Sequence, residues 1–235
     1  PMRLRLALLL ALCLTAAALA RVAMTTVTIS EKKPRYEINV KYLKLSLPDR
    51  KVQDRLNGIL KADSEQLVRE FVNDFQQNSK DLPPESPPWS LEAEYELVYE
   101  SARLLCLRQS GYNYTGGAHG SPVVASFVLD LKTGKRLQLK DMLSPGYLKV
   151  MSDYSRKELA RNPDYGGETD WINQGTEPKE EMFPVTLPTE KGLLIVFPPY
   201  QVAPYAAGLP EVTVPWSVLS GLIKPDGPLT PFRPR

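Results

Sequence analysis

The sequence contains a single histidine, His119, and only two cysteines, Cys13 and Cys106, among its 235 residues. A zinc site needs about three or four nitrogen, sulfur or carboxylate ligands at close spacing, and this chain does not supply them. No serine sits in a nucleophile-elbow pattern. Gly116-Gly117 lacks the lysine and the strand-to-helix setting of a phosphate-binding loop. No metal, no cofactor and no catalytic residue is therefore expected. An excess of charge of one sign is also missing, with 29 Lys and Arg against 27 Asp and Glu. Without Arg3 and Arg5, which fall in the leader described next, the basic count is 27 and the charges balance. Nothing in that balance argues for nucleic acid or for a strongly acidic partner. There is no internal repeat.

Long apolar runs are scarce, and the one present is at the start. Arg3 and Arg5 precede Leu6–Leu19, broken only by Thr15, and Ala18-Leu19-Ala20 is a small-x-small cleavage site. Residues 1–20 read as a secretory signal, and the run is short for a membrane span of about 20 residues. An uncleaved anchor is the alternative and the one route to a membrane. Cys13 does not make a lipoprotein signal, because Leu12 stands where a small residue is wanted. The exported chain would begin near Arg21 and be periplasmic or extracellular. It keeps Cys106 alone, so no internal disulfide can form, and Leu104-Leu105-Cys106-Leu107 makes that cysteine a small buried core residue.

What is present is patterned. Thr25–Ile29 and Tyr36–Tyr42 alternate around a charged turn ending in Pro34, which reads as a hairpin. Ser46 or Asp49 caps a long amphipathic helix running to about Gln77 through Val52, Leu56, Ile59, Leu60, Leu67, Val68, Phe71, Val72 and Phe75. Four prolines between Leu82 and Trp89 stop it. Leu91–Tyr99 alternates with Glu92, Glu94 and Glu96, a solvated strand face. Ala102–Arg108 and Pro122–Leu131 read as buried strands, with a hairpin turn at Asp130–Lys135 and a return over Arg136–Leu139. Ser144-Pro145 opens a second helix. Asn162–Glu181, with Gly166-Gly167 and Trp171, is a polar excursion. Phe183–Leu187, Leu193–Phe197 and Glu211–Trp216 are further strands. The fold class is α+β: a mainly antiparallel sheet with one long amphipathic helix and a second, shorter helix packed on it. Expected units are a signal peptide (1–20), a hairpin and long-helix subdomain (21–81), an α+β subdomain (82–223) and a disordered proline-rich tail (224–235).

Two stretches are candidates for function. Tyr112-Asn113-Tyr114-Thr115-Gly116-Gly117-Ala118-His119-Gly120 lies between two apolar strands and crowds glycines beside polar and aromatic groups. Phe197-Pro198-Pro199-Tyr200-Gln201-Val202-Ala203-Pro204-Tyr205-Ala206-Ala207-Gly208 has too many prolines for a helix or central strand. Tyrosines with a polar tip suit the gripping of a protein or a sugar face. The candidate binding residues are Tyr112, Tyr114, Thr115, Gly116, Gly117, His119, Tyr200, Pro204 and Tyr205. If the strands leading to both stretches share one sheet, the loops leave one edge and form one rim.

Those two stretches, with Phe127-Val128-Leu129-Asp130-Leu131-x-Thr133-Gly134-Lys135 between them and Glu211-Val212 after them, resemble the RsiV-type exported domain. That domain is the lysozyme-sensing ectodomain of certain anti-sigma factors, and a similar region is the non-catalytic N-terminal part of a peptidoglycan deacetylase. The resemblance covers most of residues 25–223. It implies an extracytoplasmic α+β domain that binds a partner, a lysozyme-like muramidase or peptidoglycan. The sequence shows neither a cytoplasmic segment before the apolar run nor a deacetylase domain after residue 223, so direct sigma-factor control and deacetylation are not expected. Two other readings stay open: a hydrolase of cell-wall material using His119, and a structural accessory envelope protein with no small ligand.

Overall fold

The structure, a computed structural model, describes residues 21–80, 82–83, 85–165 and 169–233. The expected signal at 1–20 and Gly166-Gly167 lie outside the described residues. Among the described residues, no helix is long and apolar enough to cross a membrane.

Strands β1 (Ala23–Lys33) and β2 (Tyr36–Ser46) form the expected hairpin, each longer than its alternating stretch. Helix α1 (Arg50–Asn78) follows, with the Asp49 carboxylate accepting from the Lys51 and Val52 amides at its start. Val52, Leu56, Leu60 and Ser64, spaced by four, are buried, as is Phe71. A helix of this length spans about 44 Å and must return the chain to the far end of the sheet. Strand β3 (Trp89–Glu100) therefore joins β2 in parallel, while β4 (Leu104–Tyr114), β5 (Ser121–Asp130) and the short β6 (Lys135–Arg136) continue antiparallel. The sheet order is β1-β2-β3-β4-β5-β6.

The chain then makes helices α2 (Leu139–Met142), α3 (Tyr147–Leu159) and α4 (Thr169–Gly175). Strands β7 (Val185–Pro188), β8 (Gly192–Val196) and β9 (Glu211–Pro215) form a separate antiparallel sheet, followed by helix α5 (Trp216–Leu219). The shorter helix α3 packs on β9. It starts two residues beyond Ser144-Pro145, after Gly146 at φ 102°, and the Ser144 amide donates to Leu222 O at 2.7 Å.

The period of two in β4 and β5 sorts the cores. Leu105, Leu107, Phe127 and Leu129 face α1; Leu104, Cys106 and Val128 face the three-stranded sheet and α3. The hydrophobic clusters divide by sheet face, whereas the expected division was by chain position at 81/82. The β2–β3 pairing carries the large sheet across that point. Cys106 is fully buried and burial raises its thiol pKa.

The stretch expected to be a disordered tail is 224–235. Residues 224–233 pack on the body: Leu229 is fully buried and Phe232 stacks on Trp216 at 4.4 Å. The segment makes a single 3₁₀ turn at Thr230–Phe232, and two apolar anchors without periodicity suffice to hold it.

Candidate functional site

The site grows from the β4–β5 hairpin. Strand β4 runs through Gly111 to Tyr114, so Tyr112 and Tyr114 are strand residues and the loop proper is 115–120. Along β4, Arg108, Tyr112 and Tyr114 share the face of Leu104 and Cys106, and Tyr112 stands across from Glu92 and Pro122. Tyr112 is exposed; Tyr114 and Thr115 are half-buried. Gly116 turns the chain at φ 86°, a conformation that favours glycine, beside the Trp89 indole. Gly117 is exposed in open surroundings.

The second stretch leaves β8, in the other sheet. The expectation of a shared sheet is thus overturned, although the loops do meet. Pro204 precedes a 3₁₀ turn over Tyr205–Ala207, which sends Tyr205 to the hairpin loop. The Tyr205 hydroxyl donates to Gly120 O at 2.9 Å, and its ring stacks on His119 with centroids 4.0 Å apart. The Gly120 amide donates to the Tyr112 hydroxyl at 2.6 Å. His119 Nδ1 lies 2.9 Å from Gly120 O, which suits the Nδ1–H tautomer. The backbone N–H and C=O of one glycine therefore hold two tyrosines and the histidine. Hydrogen bonding to the Tyr112 phenol, followed by burial, holds the Tyr205 phenol above its ordinary pKa. Tyr200 is 56% exposed at φ 67°, with its ring 5.9 Å from that of Tyr205.

Three residues outside the candidate set hold the rim in place. Gln201 Nε2 donates to Gly175 O and Met182 O, both at 2.7 Å, anchoring the proline-rich stretch. Arg108 ties the two sheets through Glu211 at 2.6 Å. Gly120 is the hub, and the crowding of glycines around His119 was its only sign in the sequence. A Cβ on Gly120 would lie 2.5 Å from both Asn113 O and the Tyr112 ring. Gly120→Ala should cost about 1–3 kcal/mol by overpacking. Gly117→Ala, whose Cβ would meet only His119 O at 3.7 Å, should stay within about 0.5 kcal/mol of the parent. Denaturant melts of the two variants check this; equal stabilities would deny Gly120 its role.

Chemically, the rim offers phenol tips, aromatic faces and one imidazole. These suit contact with a ligand surface. The hydrogen bond of the His119 ring goes to a backbone carbonyl, a neutral partner that stabilises an imidazolium less than a carboxylate would.

Residues 29–122 match the family described as "Deacetylase PdaC", and residues 140–217 match the family described as "Protein of unknown function (DUF3298)". The hairpin loop falls in the first match and the Tyr200–Gly208 stretch in the second. The peptidoglycan-N-acetylmuramic acid deacetylase PdaC of Bacillus subtilis (strain 168) is 27% identical over 175 residues, which are 73% of this chain and 37% of that protein. Anti-sigma-V factor RsiV of the same organism is 26% identical over 213 residues, 86% of this chain and 70% of that one. The chain thus spans little more than a third of the deacetylase. Two solved structures share the fold. A DUF3298 family member from Bacteroides fragilis NCTC 9343 has a TM-score of 0.63 at 19% identity, covering 86% of this chain and 94% of that one. A DUF3298 family protein from Pseudomonas aeruginosa PAO1 has a TM-score of 0.61 at 20% identity, covering 92% and 98%. The resemblance carried by the tyrosine loops is to this group of proteins.

Proposed function

From similarity to PdaC and RsiV together, and from a rim built where the two family matches meet, we propose an exported, non-catalytic binding domain of the bacterial envelope. Its partner is a lysozyme-like muramidase, with peptidoglycan as the competing ligand. The observation that carries the reading is Tyr205, which crosses from the second sheet to stack on His119 and bond Gly120 O. That contact fuses two loops into one aromatic surface and orders it before any ligand arrives, which lowers the ordering cost of binding. Exposed Tyr200, already fixed in a turn, is the natural first contact. The similarity to RsiV covers 86% of this chain and favours the protein partner. The hydrolase reading has less support, since His119 is oriented by a neutral carbonyl rather than by a carboxylate.

The test is a binding titration of the chain from Arg21 against a purified lysozyme and, separately, purified peptidoglycan. One of them should bind, and Tyr200→Ala should weaken that binding at least about fivefold, or 1 kcal/mol, without changing the melting temperature. Binding of neither, or a Tyr200→Ala variant that binds like the parent, would sink the reading.

A further inference from the structure

Among the described residues, β1 is an open edge of the large sheet. β1 pairs along all its 11 residues with β2, and among the described residues no other strand pairs with it. Its outward N–H and C=O groups form a template for another strand. The usual protections are absent from Ala23 to Ser30: there is no proline, no charge, and no break in the register with β2. Charges gather only at Glu31, Lys32 and Lys33, next to the hairpin turn. The opposite edge is covered over Ser126–Asp130. β5 pairs with β6 at Leu129 and Asp130, and further along Arg136 Nη2 donates to Ser126 O at 2.6 Å while the Thr186 amide donates to Ser126 Oγ at 3.2 Å.

We propose that β1 pairs antiparallel with β1 of a second copy about a twofold axis at Thr28, joining two six-stranded sheets into one. The contact is isologous and self-limiting, since pairing about a twofold consumes the β1 edge of both copies. The strand's own sequence selects the register. With Thr28 opposite Thr28 of the second copy, Val27 faces Ile29 and Thr26 faces Ser30. Val27 and Ile29 are half-buried, and Ile29 lies at the margin of the cluster under α1. The second copy extends that margin with the same two side chains, in β-branched cross-strand pairs. Thr26, Thr28 and Ser30 are exposed on the other face and pair hydroxyl to hydroxyl. Lys32 and Lys33 fall opposite Met24 and Ala23, so like charges do not meet. A slip of one residue would set apolar side chains against the threonine face.

Sedimentation equilibrium on the chain from Arg21, which contains every element described, tests this. The parent should be a dimer at micromolar concentration. Thr28→Lys places two ammonium groups across the twofold and should weaken association at least about tenfold. Thr28 is exposed, so the circular dichroism of that variant should match the parent. An equimolar mixture of Thr28→Lys and Thr28→Asp should recover the dimer. A monomeric parent at about 100 µM, open-ended oligomers, or a Thr28→Lys dimer of undiminished strength would each overturn the proposal.

Discussion

Replacing Phe127 by Ala is expected to lower the folding stability by about 3–5 kcal/mol. Phe127 is fully buried in β5, on the face covered by α1. Its ring lies 5.1 Å from that of Tyr95, and the Arg136 guanidinium sits over it at 3.9 Å. Around this pair runs a polar network that pins α1 to the sheet. Gln109 Nε2 donates to the Tyr95 hydroxyl at 2.9 Å, that hydroxyl donates to Asp63 at 3.0 Å, and Asp63 lies 3.7 Å from Arg136. Burial is the main reason that the Tyr95 phenol is raised well above its ordinary pKa. Removing the ring opens a cavity beside these groups and strips the packing that excludes water from them. In a domain of this size, the melting temperature should fall by about 6–20 °C. Phe127→Leu keeps most of the volume and should cost about 1.5 kcal/mol or less. Urea titrations followed by tryptophan fluorescence measure both. A Phe127→Ala loss no larger than that of Phe127→Leu would show that the site collapses freely and that the network stands without the ring.

The second large effect is on binding. Tyr205→Ala removes both the stack on His119 and the bond to Gly120 O. Both contacts join the second loop directly to the first. Loss of a central aromatic anchor costs about 2 kcal/mol or more, a drop in affinity of roughly thirtyfold. Tyr205→Phe retains the stack and gives up one hydrogen bond, worth about 0.5–1.5 kcal/mol. Isothermal titration against the lysozyme or peptidoglycan preparation that binds the parent gives the two values. Because Tyr205 is only half-buried, the melting temperature should move little, which separates lost contact from lost fold. Equal affinities for the parent and Tyr205→Ala would refute the rim as the binding surface.

Some of this protein is written in short stretches of its sequence. The long helix is there in its spacing of apolar residues and in Asp49, because a cap and a stripe are properties of neighbours along the chain. The same holds for β3, where alternation alone separates Glu92, Glu94 and Glu96 from the buried Leu91, Ala93 and Tyr95. The tyrosines of the rim could be named for the same reason, as aromatic groups framed by glycine and proline.

Only the tertiary structure decided how these pieces meet. The parallel pairing of β2 with β3 is set by the length and path of α1, and no residue in either strand announces it. The assignment of β4 and β8 to different sheets, against the expectation of one, depends on a layer order that periodicity does not encode. Tyr205 meets Gly120 across 85 positions of sequence, and Phe232 meets Trp216 without any periodic signal. Local pattern determines which face of an element is apolar; which other element covers that face is settled by packing between segments far apart in the chain. The rim is a contact of that second kind, built from residues the sequence could point to and joined by a fold it could not.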